Sequence, residues 1–161
     1  MNLLTAAGWG TKYTNLAKHI STWSKDPSTQ VGAIVVGGDG QILSQGFNGF
    51  PRGIKDSDER LNNRERKYEL VVHAEMNAIY NASLTGVSLR DSTLYVYGCP
   101  VCNECAKGII QVGIKKVVAV RPKDMPVVLK RWDESIKVAG ALFREAEVMY
   151  LTEVEDEWSS F

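Results

Sequence analysis

Three cysteines fall within seven residues, Cys99, Cys102 and Cys105, in the stretch YGCPVCNECAKGII. Cys102 and Cys105 have the C-x-x-C spacing that can place two sulfurs on one tetrahedral zinc ion. The pattern that follows predicts a helix, and free N–H groups at a helix start favour thiolates. The chain offers only two imidazoles, His19 and His73. Three readings of the cysteines follow. Cys99, Cys102, Cys105 and a histidine could close a structural site. Alternatively, Cys102, Cys105 and His73 could bind zinc and leave the fourth position to water. A redox pair is the third reading, and Asn103-Glu104 between the two cysteines does nothing to favour it. The segment His73-Ala74-Glu75 tips the balance toward the second. A glutamate two residues from a metal-binding histidine can sit near the same water without being a ligand, and can move protons there. A purely structural zinc needs no such carboxylate.

H-x-E followed downstream by C-x-x-C is the signature of zinc nucleobase deaminases. The segments DPSTQVGAIVV, GFNGFPRG, VVHAEMNAI, LYV and CNECAKGIIQVGIKKVVAV are collinear from Asp26 to Val120. With them the chain resembles the cytidine deaminase superfamily, and within it the small deoxycytidylate deaminases. The resemblance implies a three-layer α/β/α fold around a mixed sheet of about five strands. It also implies hydrolysis of dCMP to dUMP and ammonia, with dCTP as a further substrate, feeding thymidylate synthesis in the cytoplasm. His73, Cys102 and Cys105 are then the zinc ligands, and Glu75 carries protons between water, the pyrimidine N3 and the leaving amino group. The Ala74 N–H is expected to meet the pyrimidine O2, and Asn48 a sugar hydroxyl. Arg52, in the loop after Asn48, and Arg121, at the end of a predicted strand where open α/β sheets bind ligands, are candidates for the phosphate. Relatives of this kind are often hexamers, activated by dCTP and inhibited by dTTP with Mg2+. That expectation falls here on Phe47, Gly49 and Lys55, with Phe47 standing where the family commonly has Tyr. Some relatives carry a second zinc in the segment before the H-x-E, but residues 50–72 contain no Cys or His, so one Zn2+ per chain is expected. One departure stands out. Pro100-Val101-Cys102 has a residue more than the usual proline-cysteine pair. Cys99, in the same loop, reads as a packed small hydrophobe.

The elements that must position these groups are legible in outline. Leu16, Ile20 and Trp23 recur at helical spacing, predicting a first helix within 3–25, starting near Thr11 if Gly8 and Gly10 weaken its beginning. Val31–Val36, a Gly37-Gly38-Asp39-Gly40 turn and Gln41–Gly46 predict a hairpin. Residues 50–72 read as a charged, solvated insertion with a helical turn or two, and Arg64, Arg66 and Lys67 each read as part of its solvated face. Helices are predicted from His73 and from Cys102, the latter ending at Gly113. Strands are predicted at 94–96, 115–120 and 148–151, the first two joined by a crossover and therefore parallel. A helix over 128–146 is expected to break near Gly140, and an acidic tail over 152–161 to fray. His19 reads as a packed or surface histidine, while Trp132 and Trp158 fit core or interface alike.

Length and composition bound the rest. A chain of 161 residues with 44% hydrophobic content suits one domain, 1–161. Its formal net charge is zero, a poor prior for nucleic-acid binding. No basic leader and no run of about 18 apolar residues marks a signal or membrane span. An odd cysteine count, clustered, argues against a disulfide framework. Two alternatives stay open: a deaminase of another base carrier (cytidine, a tRNA base or guanine), and a zinc-stabilised binding protein without catalysis.

Overall fold

In the computed structural model, residues 8–155 are described, with no account of the side chains of 126–129. Five strands form one mixed sheet in the order β2-β1-β3-β4-β5. They are β1 (Gly32–Val36), β2 (Ile42–Phe47), β3 (Thr93–Tyr97), β4 (Lys116–Arg121) and β5 (Met149–Val154). The first pairs antiparallel with both β2 and β3, whereas β3, β4 and β5 run parallel. The parallel strands are joined by helices, as crossover geometry requires. Both faces of the sheet are covered. Helix α1 (Trp9–Ser21) packs Ala17 and Ile20 on Ile34, Val36, Tyr95 and Val118. The other face meets α4 (Ala74–Thr85), α5 (Asn103–Gln111) and α6 (Pro126–Glu145), in a larger core that includes Leu94, Val96, Ile109, Val117 and Phe143. This is the three-layer α/β/α arrangement. Every residue of β1 is buried, as a strand covered on both faces should be.

The register decides where the loops gather. Gly32 pairs with Phe47 on one side and Tyr97 on the other, and Tyr97 pairs with Val120. The segments before β1, after β2 and after β3 therefore leave the sheet at the same end. That end carries the C-termini of the parallel strands, where α/β sheets place ligands. Two glycines let the backbone close up there. A Cβ on Gly46 would lie 2.5 Å from the Ala74 carbonyl oxygen, so β2 can approach the start of α4 only without a side chain. Gly98 has φ +115°, and a Cβ there would meet the Gln30 carbonyl at 2.4 Å.

Four expectations are corrected. The first helix starts at Trp9 and ends at Ser21, where the Thr22 hydroxyl and N–H both turn back to the His19 carbonyl. Helix α6 does not break at Gly140. Open space surrounds that glycine, while its neighbours Ala139 and Phe143 are fully buried. Their packing offsets the cost of about 1 kcal/mol that a mid-helix glycine brings. Residues 152–154 of the acidic tail are the end of β5, and Glu155 accepts from the Tyr97 hydroxyl at 2.6 Å and pairs with Lys18. Residues 156–161, including Trp158, lie outside the described residues. The charged insertion is the largest correction. It folds as α2 (Asp58–Asn62) and α3 (Arg64–Leu70), capped by Ser57 and Asn63, and closed by a bridge between Gly49 and Val72. Lys67, expected in solvent, is buried.

Candidate active site

His73 is the N-cap of α4, and Cys102 the N-cap of α5. Cys105 lies one turn into α5, and its N–H donates to the Cys102 sulfur at 3.5 Å. The His73 Nδ1 is 3.5 Å from the Cys102 Sγ and 3.4 Å from the Cys105 Sγ. The three donor atoms lie within 4.8 Å of one another, and they form the one such cluster among the described residues. Around tetrahedral zinc, with Zn–S about 2.3 Å and Zn–N about 2.0 Å, a nitrogen and a sulfur ligand fall about 3.5 Å apart. The spacing and the soft donor set both fit zinc. The electrostatics agree. Contacts with Cys105 and His73 hold the Cys102 thiol down at about 4, against the opposing effect of burial. The bond to Cys102 raises His73 to about 9. One negative charge is thus favoured on the sulfur pair even without metal.

Cys99 is not a member of the cluster. Burial pushes its thiol up to about 12, the reverse of a thiolate ligand, and it packs against the larger core. The extra loop residue is accounted for locally. Val101 is fully buried, and its N–H donates to the Tyr150 hydroxyl on β5 at 3.1 Å. The added residue is thus anchored in the core before the chain reaches Cys102.

Glu75 follows on the first turn of α4 and is almost wholly buried, 4% exposed. Burial raises its carboxyl to about 7, against the lowering effect of His73. A carboxyl poised there can give and take a proton near neutrality. Both Glu75 and Ala74 line a cavity of about 510 Å³, within the usual range of small-molecule sites. First-turn N–H groups of a helix lack intrahelical acceptors, so the Ala74 N–H is a donor at the cavity wall. Asn48 lines the same cavity. Its Oδ1 accepts from the Val31 N–H and its Nδ2 donates to the Thr29 carbonyl, each at 2.8 Å. The amide therefore fixes the strand-entry loop and retains one N–H and one lone pair for a ligand.

The remaining expected residues separate. Arg52 bonds to Asn81 of α4, whose amide also donates to the Gln45 carbonyl of β2, and neither Arg52 nor Arg121 lines the cavity. Lys55 is exposed, and its carbonyl accepts from Arg60. Phe47 and Gly49 line a second cavity of about 200 Å³, together with Trp23, Lys25 and Asp56. His19 packs edge-on to Trp23. Several cavity residues escaped sequence reasoning. Lys67 on α3 reaches Asp26 at 3.1 Å and the Ser28 hydroxyl at 3.3 Å. The same Asp26 Oδ1 accepts the N–H groups of Ser28 and Thr29. Arg64, Tyr68, Arg131 and Trp132 also line the wall. Trp132 stands edge-on to both His73 and Tyr68. A tyrosine and a tryptophan sixty-four positions apart in sequence carry no periodic signal that would join them.

A three-layer fold, two helix starts that bring three zinc-type donors together and a buried carboxyl beside them define a zinc-dependent deaminase. Residues 8–121 match the family described as the cytidine and deoxycytidylate deaminase zinc-binding region, and the chain belongs to that family. It is 41% identical to an uncharacterized deaminase from the luxG 3′ region of Aliivibrio fischeri, over 87% of this chain and 90% of that protein. It is 44% identical to the human deoxycytidylate deaminase over 62% of this chain, but spans only 57% of that enzyme's length. Among solved structures it is similar to the dCMP deaminase of the cyanophage S-TIM5 in complex with dCMP and dUMP. There the TM-score is 0.70 at 27% identity, over 92% of this chain and 98% of that one.

Proposed function

We propose that this protein hydrolyses dCMP to dUMP and ammonia. The observation that carries the reading is the placement of the buried Glu75 carboxyl beside the His73, Cys102 and Cys105 donors, on the wall of a cavity of nucleotide size. Zinc held by those three residues supplies the Lewis acidity that makes water a nucleophile near neutral pH. Glu75 takes a proton from the attacking water and gives it to N3, then takes the second proton from the new C4 hydroxyl and gives it to the departing amino group. C4 gains the oxygen, the C–N bond breaks, and uracil remains. The Ala74 N–H receives the pyrimidine O2, and Asn48 a sugar hydroxyl. Trp132, against the His73 ring, supplies an aromatic wall for the base. The likeness to an enzyme solved with dCMP and dUMP supports this substrate over cytidine, guanine or a tRNA base. A zinc-stabilised binding protein would have no use for a buried carboxyl poised near neutrality.

The reading extends to regulation by dCTP and dTTP with Mg2+, in a hexamer acting in the cytoplasm. It is supported by the second cavity, which holds Phe47 and Gly49 next to Asn48. No helix among the described residues is long and apolar enough to cross a membrane. Ammonia release from dCMP, with and without dTTP, tests both parts. Turnover that dTTP leaves untouched would retain the enzyme and remove the regulation.

A further inference from the structure

Arg52 and Arg121, the expected phosphate partners, do not line the cavity, whereas Arg64, Lys67 and Arg131 do. Resting on the reading of a deoxycytidine nucleotide as substrate, we infer that Arg64 of α3 and Arg131 of α6 clamp its single 5′-phosphate. Both guanidiniums belong to exposed residues that line the cavity. They flank one ring, each with its central carbon 5.6 Å from the centroid of Tyr68. Tyr68 stands 6.3 Å from Trp132, and Trp132 stands 6.4 Å from His73. Ring contacts thus connect the metal donors to both arginines, with Arg131 also 6.0 Å from the Trp132 centroid.

Among the Lys and Arg residues that line the cavity, charge pairing points to the same two residues. Arg66, on the same helix as Arg64, is paired with Glu69 at 2.7 Å, and Lys25, Lys107 and Lys137 are also paired. Lys67 lines the cavity but is matched by Asp26. Arg64 and Arg131 have ring contacts and, among the described residues, no carboxylate partner. Two unmatched guanidiniums suit one phosphate dianion, because a planar fork binds phosphate oxygens two at a time. The more highly charged triphosphate finds no further unmatched cation on this wall. The insertion that reads as a solvated face is, on this account, what selects a nucleoside monophosphate.

The test compares dCMP with deoxycytidine, which lacks the phosphate, as substrates of the zinc-loaded protein and its R64Q, R131Q and R66Q variants. Binding of dUMP and of deoxyuridine to the same proteins is followed by calorimetry. R64Q and R131Q should each raise the KM for dCMP and the Kd for dUMP about 10- to 100-fold, the range for losing a hydrogen bond to a charged group. Their kcat should stay within about threefold. Deoxycytidine turnover and deoxyuridine binding should not move, which also reports an intact fold and metal site. R66Q should behave as the unsubstituted protein. Unchanged dCMP and dUMP constants in R64Q and R131Q would overturn the clamp, and so would an equal loss for deoxycytidine. Failure of the unsubstituted protein to deaminate dCMP would instead overturn the substrate reading on which the clamp rests.

Discussion

At the scale of the residue, the proposed function gives Glu75 and the metal donors separable jobs. Glu75 is near the donors yet is not one of them. Glu75→Gln keeps the size and the hydrogen bonding of the side chain but cannot carry a proton. The variant should retain one zinc per chain by atomic absorption and bind dUMP as before, while kcat falls about 10²- to 10⁴-fold or more. Loss of zinc together with activity would mean that Glu75 shapes the metal site rather than the chemistry. The buried pair of Lys67 and Asp26 invites a different test. Each side chain is about a tenth exposed, and Asp26 also organises the backbone of Ser28 and Thr29. Lys67→Met would strand a carboxylate in the cavity wall. Urea denaturation should show a loss of about 3–5 kcal/mol, the usual cost of breaking a buried pair from one side. A neutral result would show that Asp26 is adequately solvated without its partner.

At the scale of the element, the site is made by helix starts and strand ends. The N-cap positions of α4 and α5 hold His73 and Cys102, and the sheet register gathers the loops at 26–31, 48–49 and 98–102. The sequence made much of this legible, because hairpin, crossover and helix starts are local patterns. The metal donors were also legible, since C-x-x-C and H-x-E are short and chemically specific. The proposed phosphate end was not. Arg64, Lys67 and Tyr68 sit among charges of both signs, and only tertiary packing separates the buried Lys67 from the solvated Arg66 beside it. Arg131 and Trp132 come from a helix distant in sequence, which nothing local ties to the cavity. Arg52 and Arg121 follow the motif and a strand end in sequence, yet neither lines the cavity, because chain proximity does not fix where a long side chain goes.

At the scale of the whole molecule, zinc joins two helices that already share a continuous apolar core with the sheet. Metal removal should therefore loosen the fold without dissolving it. At free zinc about 100 times its Kd, binding contributes about 2.7 kcal/mol. For a chain of this size that amounts to a Tm about 5–10 °C higher. Chelation should produce that drop in calorimetry with far-UV circular dichroism almost unchanged at 25 °C, and zinc should restore it. Collapse of the circular dichroism on chelation would instead make the metal a requirement for folding. The most direct measurement of the central claim is ammonia release by the zinc-loaded protein, run in parallel on dCMP, cytidine and dCTP. The account predicts turnover of dCMP well above that of the other two. Ammonia from none of them, with zinc content confirmed, would contradict it.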